Sequence, residues 1–128
     1  MKNWERLPEA ELDVMLTLWH AEEALTVGEI VRRLSGIRTW KSATVHVLLE
    51  RLEKKNFVQV DKSGYAHLYA PAVTEEEYRS GEQHSFLHRF FGGSAKKMIV
   101  SMLDADGLSE DDIEELTALL RDKKSGGK

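Results

Sequence analysis

Hydroxyl, imidazole and basic side chains are concentrated in the stretch TWKSATVHVLLERLEKK, residues 39–55. Apolar residues at i, i+3, i+4 and i+7 predict one buried stripe of an α-helix, formed by Val45, Leu48, Leu49 and Leu52. The opposite face starts with small apolar and hydrogen-bonding side chains and then becomes basic: Ala43, Thr44, His46, Val47 and Arg51. Such side chains match the base edges and thymine methyl groups of a DNA major groove.

The basic residues of the chain are confined to the segment that contains this helix. The whole chain has a net charge of −4, and residues 1–31 hold two Lys and Arg against seven Asp and Glu. Residues 32–62 instead hold eight Lys and Arg against three Asp and Glu, a net charge of +5. Phosphate contacts require local clustering of this kind rather than a high overall pI. On charge alone, a solvated basic surface is an equal alternative.

A division of roles follows from these residue types. We predict that Thr44, His46 and Val47 read base sequence, with Ala43 packing on a thymine methyl group beside Val47. The predicted phosphate contacts, which fix the register on DNA, are Arg38, Lys41, Ser42, Arg51 and Lys62. The alternative for Ala43 and Val47 is packing under a neighbouring loop, because single exposed apolar residues are common.

Other chemistry finds little support in the sequence. The chain has no cysteine, which excludes disulfides, thiolate nucleophiles and cysteine-based zinc or copper sites. His84 and His88 have the i, i+4 spacing of zinc ligands and Glu82 is near, but no third ligand follows at a suitable spacing. Because phosphate-binding loops and nucleophile motifs are missing too, we predict no catalytic residue, no metal and no cofactor. The protein is therefore not expected to be an enzyme.

The N-terminus lacks the basic-then-apolar pattern of a signal peptide, and no apolar run approaches the length of a membrane span. We therefore expect a cytoplasmic protein without a membrane partner.

The elements around the central helix predict a winged helix-turn-helix. A first helix begins at Pro8, and a second is opened by a capping box between Thr26 and Glu29. After the third helix the period changes to alternation in FVQV and YAHLYA, two strands joined by a turn at DKSG. Three helices followed by a hairpin place the third helix in a major groove and the hairpin, or wing, along the backbone. Other small α+β domains share this order of elements.

Three further helices are predicted after Pro71, in a chain that is α+β and mostly helical. Thr74 and Ser109 cap two of them, and the apolar faces exceed what some 50 residues can bury alone. We expect pairing with a second copy, as two-fold DNA-binding dimers do, with packing within one chain as the alternative. The predicted dimer interface consists of Tyr78, Phe86, Leu87, Phe90, Phe91, Met98, Met102, Leu116, Leu119 and Leu120.

The predicted domains are a winged helix over residues 1–72, a three-helix dimerisation region over 73–124 and a disordered tail at 125–128.

Over roughly residues 5–122 the chain resembles the penicillinase-repressor (BlaI/MecI) family, through EAELDVM…LW, TVHVLLERLEKK and LSEDDIEEL. The resemblance implies a homodimeric winged-helix repressor that occludes a promoter operator, usually an inverted repeat of double-stranded DNA. In the inducible members, a membrane sensor-protease system leads to cleavage within the dimerisation region.

Several positions depart from the family's pattern. The family commonly has Lys at the position of Ala43, a Gln-Thr-like pair at His46 and Val47, and Gly-Arg where this wing has Gly64 and Tyr65. We include Tyr65 among the DNA-binding residues and expect a changed operator sequence rather than a loss of DNA binding.

The family's cleavage site is also altered. The usual scissile Asn-Phe pair aligns with Ser101-Met102 in this chain. The resemblance implies cleavage at this pair by a sensor-linked protease; the alternatives are a cut elsewhere, a cut by another protease, or no cut. The cysteine-rich tail of copper-responsive relatives is missing.

The alternative function is a winged-helix protein-interaction module without specific DNA binding. Partner binding through its apolar interface would respond little to salt.

Overall fold

The computed structural model describes residues 6–126, which form six helices and one hairpin. The elements in chain order are α1 (Glu9–Trp19), α2 (Val27–Leu34), α3 (Ser42–Lys54), β1 (Val58–Asp61), β2 (Leu68–Pro71), α4 (Glu75–Phe91), α5 (Ala95–Asp104) and α6 (Glu110–Ser125). The chain divides into two compact units, an N-terminal unit up to Glu82 and a C-terminal unit from Gln83. The predicted mostly helical α+β fold with a hairpin wing is confirmed.

Local signals in the sequence set the ends of the helices around the core. The predicted capping box of α2 is present: the Glu29 backbone N–H donates to Thr26 Oγ1, and the Thr26 backbone N–H donates to the Glu29 carboxylate at 2.8 Å. That second hydrogen bond lowers the pKa of Glu29. At the end of α3, Asn56 takes a left-handed conformation (φ 66°), and Phe57 N–H donates to Leu52 C=O at 2.9 Å. This Schellman motif turns the chain directly from α3 into the wing.

The wing is anchored to the helices by a third backbone segment. β1 and β2 pair antiparallel with Val58 opposite Pro71 and Asp61 opposite Leu68. Leu25, between α1 and α2, exchanges backbone hydrogen bonds of 2.9 and 2.8 Å with Tyr69. At the tip, β1 continues to Asp61, one residue beyond the predicted strand FVQV, whereas β2 begins only at Leu68, three residues after the predicted start at Tyr65. Asp61 accepts hydrogen bonds from the backbone N–H and the hydroxyl of Ser63, where the chain leaves the ladder. These hydrogen bonds lower the pKa of Asp61.

One hydrophobic core holds the N-terminal unit together. Sixteen buried apolar side chains pack into it, from every helix and strand of this unit. It includes Tyr78, whose hydroxyl accepts a hydrogen bond from the Leu7 backbone N–H at 2.9 Å, and Val73, whose carbonyl accepts one from Trp19 Nε1. The division between the units therefore lies inside α4 rather than at the predicted position between residues 72 and 73. Tyr78, predicted to be a dimer-interface residue, is instead buried in this core.

The C-terminal unit has well-formed helix ends but no interior of its own. Ser109 and Asp112 form a capping box at the start of α6, and Gly92 and Gly93 have positive φ after α4. Among residues 83–126 no side chain is buried. The large apolar side chains exposed there are Phe86, Phe90, Ile99, Val100, Met102, Leu103, Ile113, Leu116, Leu119 and Leu120.

Candidate nucleic-acid interface

α3 has one buried face and one exposed face, as its period predicts. Val45, Leu48, Leu49 and Leu52 are buried. The predicted contact residues on or next to this helix are all exposed: Lys41, Ser42, Ala43, Thr44, His46, Val47 and Arg51. Val47 is 44% exposed, so it does not pack under a loop of the N-terminal unit. An apolar side chain at that position is available to a partner.

The wing and α2 border the exposed face of α3. His46 and Tyr65 line one open groove, together with Gly28 at the start of α2 and His67 on the wing. Tyr65 is fully exposed, and Lys62 is exposed three residues before it. The fold therefore brings His46, one of the predicted base-reading residues, to the same groove as Tyr65 of the wing. A polyanion that entered this groove would meet α2, α3 and the wing together.

Arg38 has internal partners that the sequence did not reveal. Its Nε lies 2.7 Å from Asp13 Oδ2 of α1, and its guanidinium lies 4.9 Å from the ring centre of Trp40. The side chain is only one-third exposed. Arg38 was predicted to contact phosphate, but in this structure it ties the segment before α3 to α1.

Lys55, just after α3, makes a second tie to the same helix. Its Nζ lies 2.6 Å from Glu11 Oε1, and the Glu11 side chain is only 3% exposed. A buried carboxylate needs such a partner, because an unpaired buried charge is strongly destabilising. The two ion pairs hold α3 against α1 from both of its ends, so they orient the face that carries Thr44 and Val47.

The other basic side chains of residues 32–62 remain free for a partner. None of them forms a salt bridge with a residue between 6 and 126, and all are exposed; they are Arg32, Arg33, Lys41, Arg51, Lys54 and Lys62. Free cations clustered on one unit are the electrostatic signature of a phosphate-binding surface.

One exposed residue of α3 was missed as a candidate. Glu50 follows Ala43 by seven residues and Val47 by three, so it lies on the same outward face, and its side chain is 65% exposed. Its Oε2 lies 4.0 Å from His46 Nε2. The i, i+4, i+7 spacing of Ala43, Val47 and Glu50 is the signal that could have found it.

The acidic residues of α3 also affect a tyrosine of the wing. The pKa of the Tyr69 hydroxyl is raised mainly by burial, and further by the negative charges of Glu53 and Glu50.

The described residues contain neither a candidate metal site nor a candidate membrane span. Between residues 6 and 126, no three His, Cys, Asp or Glu side chains are grouped to hold a metal ion, and His84 and His88 are exposed on α4. No helix in the same range has the length and apolar character needed to cross a membrane.

Comparisons with known proteins agree with this geometry. Residues 7–122 match the profile of the penicillinase repressor family. The penicillinase repressor of Bacillus licheniformis is 34% identical over 125 residues, which covers 98% of this chain and 97% of that protein. The transcriptional regulator BlaI of Mycobacterium tuberculosis is 33% identical over 113 residues, or 88% of this chain and 82% of that protein.

Solved structures match the N-terminal part. The solution structure of the DNA-binding domain of the repressor BlaI superposes with a TM-score of 0.52 at 32% identity, over 61% of this chain and 94% of that chain. The monomeric form of Bacillus licheniformis BlaI in complex with the blaP half-operator gives a TM-score of 0.51 at the same identity and coverage. With its winged-helix unit and a match over nearly its whole length, the chain belongs to the penicillinase repressor family, whose members are transcriptional repressors and not enzymes.

Proposed function

We propose that this protein is a sequence-specific, DNA-binding transcriptional repressor that occludes a promoter operator as a homodimer. The exposed face of α3 carries the proposal, because it presents side chains suited to base readout together with the unpaired cations Lys41 and Arg51, on a winged-helix unit. A relative with 32% identity over this unit has been solved in complex with a half-operator.

Sequence readout is assigned to the first turns of α3. The Thr44 hydroxyl and the His46 imidazole can exchange hydrogen bonds with base edges, and Ala43 and Val47 can pack on thymine methyl groups. All four side chains are exposed on a helix whose other face is fixed in the core. A rigid support of this kind keeps the contacts in register.

Phosphate binding is assigned to residues that flank this face. Lys41 and Ser42 lie at the start of α3, Arg51 lies two turns further on, and Lys62 and Tyr65 lie on the wing. Arg38 contributes less than the sequence suggested, because Asp13 already holds its guanidinium. It can reach a phosphate only with the remaining nitrogen atoms.

Dimerisation is assigned to the C-terminal unit. Six of the predicted interface side chains there are more than a third exposed: Phe86, Phe90, Met102, Leu116, Leu119 and Leu120. Leu87, Phe91 and Met98 are half-buried. Exposed apolar area of this extent marks a protein–protein interface, and a two-fold dimer would match an inverted repeat.

A sensor-linked protease is the proposed inactivating partner. The aligned cleavage pair, Ser101 and Met102, is exposed on α5, inside the unit assigned to dimerisation. A cut between them would separate the DNA-binding unit from four of the nine proposed interface side chains of the C-terminal unit, which are Met102, Leu116, Leu119 and Leu120. Mass spectrometry of the protein recovered from induced cells would identify the cut, and an intact chain after derepression would rule out this route.

The function is tested by selecting genomic DNA fragments with the purified protein at two salt concentrations. We expect an inverted repeat, with affinity that falls steeply as salt rises, because bound phosphates release counterions. Lys62→Ala should weaken all sequences alike and reduce the salt slope by about 1. Lys97→Ala, which removes the same charge from the C-terminal unit, is the matched control and should change neither.

Two results would redirect the proposal. Val47→Ala should relax preference at one base position, so an equal loss for all sequences would remove Val47 from sequence readout. If the protein enriches no DNA even at low salt, the protein-interaction module becomes the better function, and its partner binding should respond little to salt.

A further inference from the structure

The central acidic residue on the exposed face of α3 calls for a physical explanation. Glu50 shares the outward line of Ala43 and Val47, opposite the buried leucines, and its side chain is 65% exposed. Every other group on this line or beside it in the first turns is neutral, hydroxyl-bearing or able to carry positive charge. A carboxylate in this place would face the DNA that the proposed function requires.

Near phosphates, a carboxylate weakens binding to every sequence, because it repels the DNA backbone. It becomes favourable only where it accepts a hydrogen bond from a base. In the major groove, the cytosine N4 amino group is the donor that pairs with Glu or Asp side chains. A negative charge at the centre of the face therefore favours cytosine and disfavours bases that present only acceptors there.

The ion pair between Glu50 and His46 leaves the Glu50 carboxylate available. His46 Nε2 lies 4.0 Å from one carboxylate oxygen, which is too long for a strong hydrogen bond, and the His46 side chain is 52% exposed. An exposed pair at this separation holds its members weakly. Glu50 therefore keeps acceptor positions free and sits one helical turn beyond the bases assigned to His46 and Val47.

We propose that Glu50 is a specificity-determining residue that accepts a hydrogen bond from a cytosine amino group in each operator half-site. This inference rests on the proposed function and names one base that the protein reads. Glu50 does not supply affinity for DNA in general; it lowers the affinity for all sequences and restores it where cytosine is present.

The test is a selection from randomised inverted repeats by the full-length protein and three variants. For the wild-type protein we expect cytosine at one position of each half-site. In Glu50→Ala, the affinity ratio of cytosine over the other bases at that position should fall by roughly five-fold or more, while binding to unrelated DNA becomes tighter. Glu50→Gln should move the preference to adenine, the base that a glutamine side chain pairs with.

Glu53→Gln is the matched control, because Glu53 is also exposed on α3 and its substitution removes the same charge. It should strengthen general binding but keep the cytosine preference. If Glu50→Ala and Glu50→Gln retain the wild-type base preferences, Glu50 only repels DNA and this inference is wrong. If the wild-type protein selects no sequence, the proposed function fails and the inference fails with it. Glu50 is exposed, so thermal unfolding of all variants should match the wild type.

Discussion

The two units of this chain use the same local signals but differ in what those signals support. A capping box starts α2 in the N-terminal unit and another starts α6 in the C-terminal unit. Sixteen buried apolar side chains pack the first unit, whereas no side chain between residues 83 and 126 is buried. Caps and periodicity therefore specify helices in both units, but only the N-terminal unit covers its apolar faces itself. We propose that a second copy of the chain covers the exposed apolar side chains of the C-terminal unit.

The largest contrast should come from removing an aromatic ring in each unit. Phe57 is 1% exposed and Phe90 is 60% exposed. Phe57→Ala should lower the free energy of unfolding of the N-terminal unit by about 4 kcal/mol, because it leaves a cavity in a packed core. Phe90→Ala should leave that free energy unchanged. Urea unfolding followed by tryptophan fluorescence measures both, and equal losses would remove the distinction between the units.

The next effect concerns the ion pair that fixes the end of α3. Lys55→Ala leaves the Glu11 carboxylate buried and unpaired, so we expect a loss of about 3 kcal/mol in stability. Lys54→Ala is the matched control, because Lys54 is exposed and forms no salt bridge with a described residue. Its effect on thermal unfolding should stay within about 0.5 kcal/mol. A small effect of Lys55→Ala would mean that Glu11 finds water or another partner.

Assembly through the C-terminal unit can be weakened without touching the folded core. Leu120 is 61% exposed on α6, and Leu120→Asp should weaken dimerisation by about 2 kcal/mol, roughly thirty-fold in the dissociation constant. Ala118→Asp places the same charge on the opposite face of α6 and should have little effect. Sedimentation velocity across a concentration series measures both variants, and an unchanged dimer in Leu120→Asp would exclude this face from the interface.

The smallest effects concern the two capping boxes. Thr26→Ala should cost the N-terminal unit about 1 kcal/mol of stability, whereas Ser109→Ala should leave the unfolding of that unit unchanged and reduce helix content and assembly. The lowered pKa of Glu29 gives the first box a pH dependence. Its contribution is complete above the unfolded pKa near 4.5 and is lost as the pH falls through the lower folded value. Carboxyl NMR titration of Glu29 checks the shift.

The elements of the fold could be predicted from the sequence because their signals are local. The period of α3, the capping boxes and the hairpin turn all depend on residues a few positions apart. The ion pairs could not be predicted in this way: Glu11 and Lys55 are 44 residues apart, and Asp13 and Arg38 are 25 apart. An acid in the first turn of a helix looks solvated in sequence, so neither the burial of Glu11 nor the internal use of Arg38 was predicted.

The aromatic residues of α4 show a second limit of periodicity. Tyr78, Phe86 and Phe90 look like one apolar face in the sequence. The structure separates them, with Tyr78 buried in the N-terminal core and Phe86 and Phe90 exposed. A helix that passes from one unit into another changes its surroundings without a change in its pattern. The expected boundary before α4 and the expected role of Tyr78 both depended on that pattern.

Hydrogen–deuterium exchange of the full chain at several protein concentrations tests most directly whether the two units differ in this way. Backbone protection in the N-terminal unit should be the same at every concentration, because its core is complete within one chain. Protection in the C-terminal unit should rise with concentration as a second copy covers its apolar faces. If residues 83–126 are as strongly protected at the lowest protein concentration as at the highest, the proposal is contradicted, since that unit would then be stable without a partner.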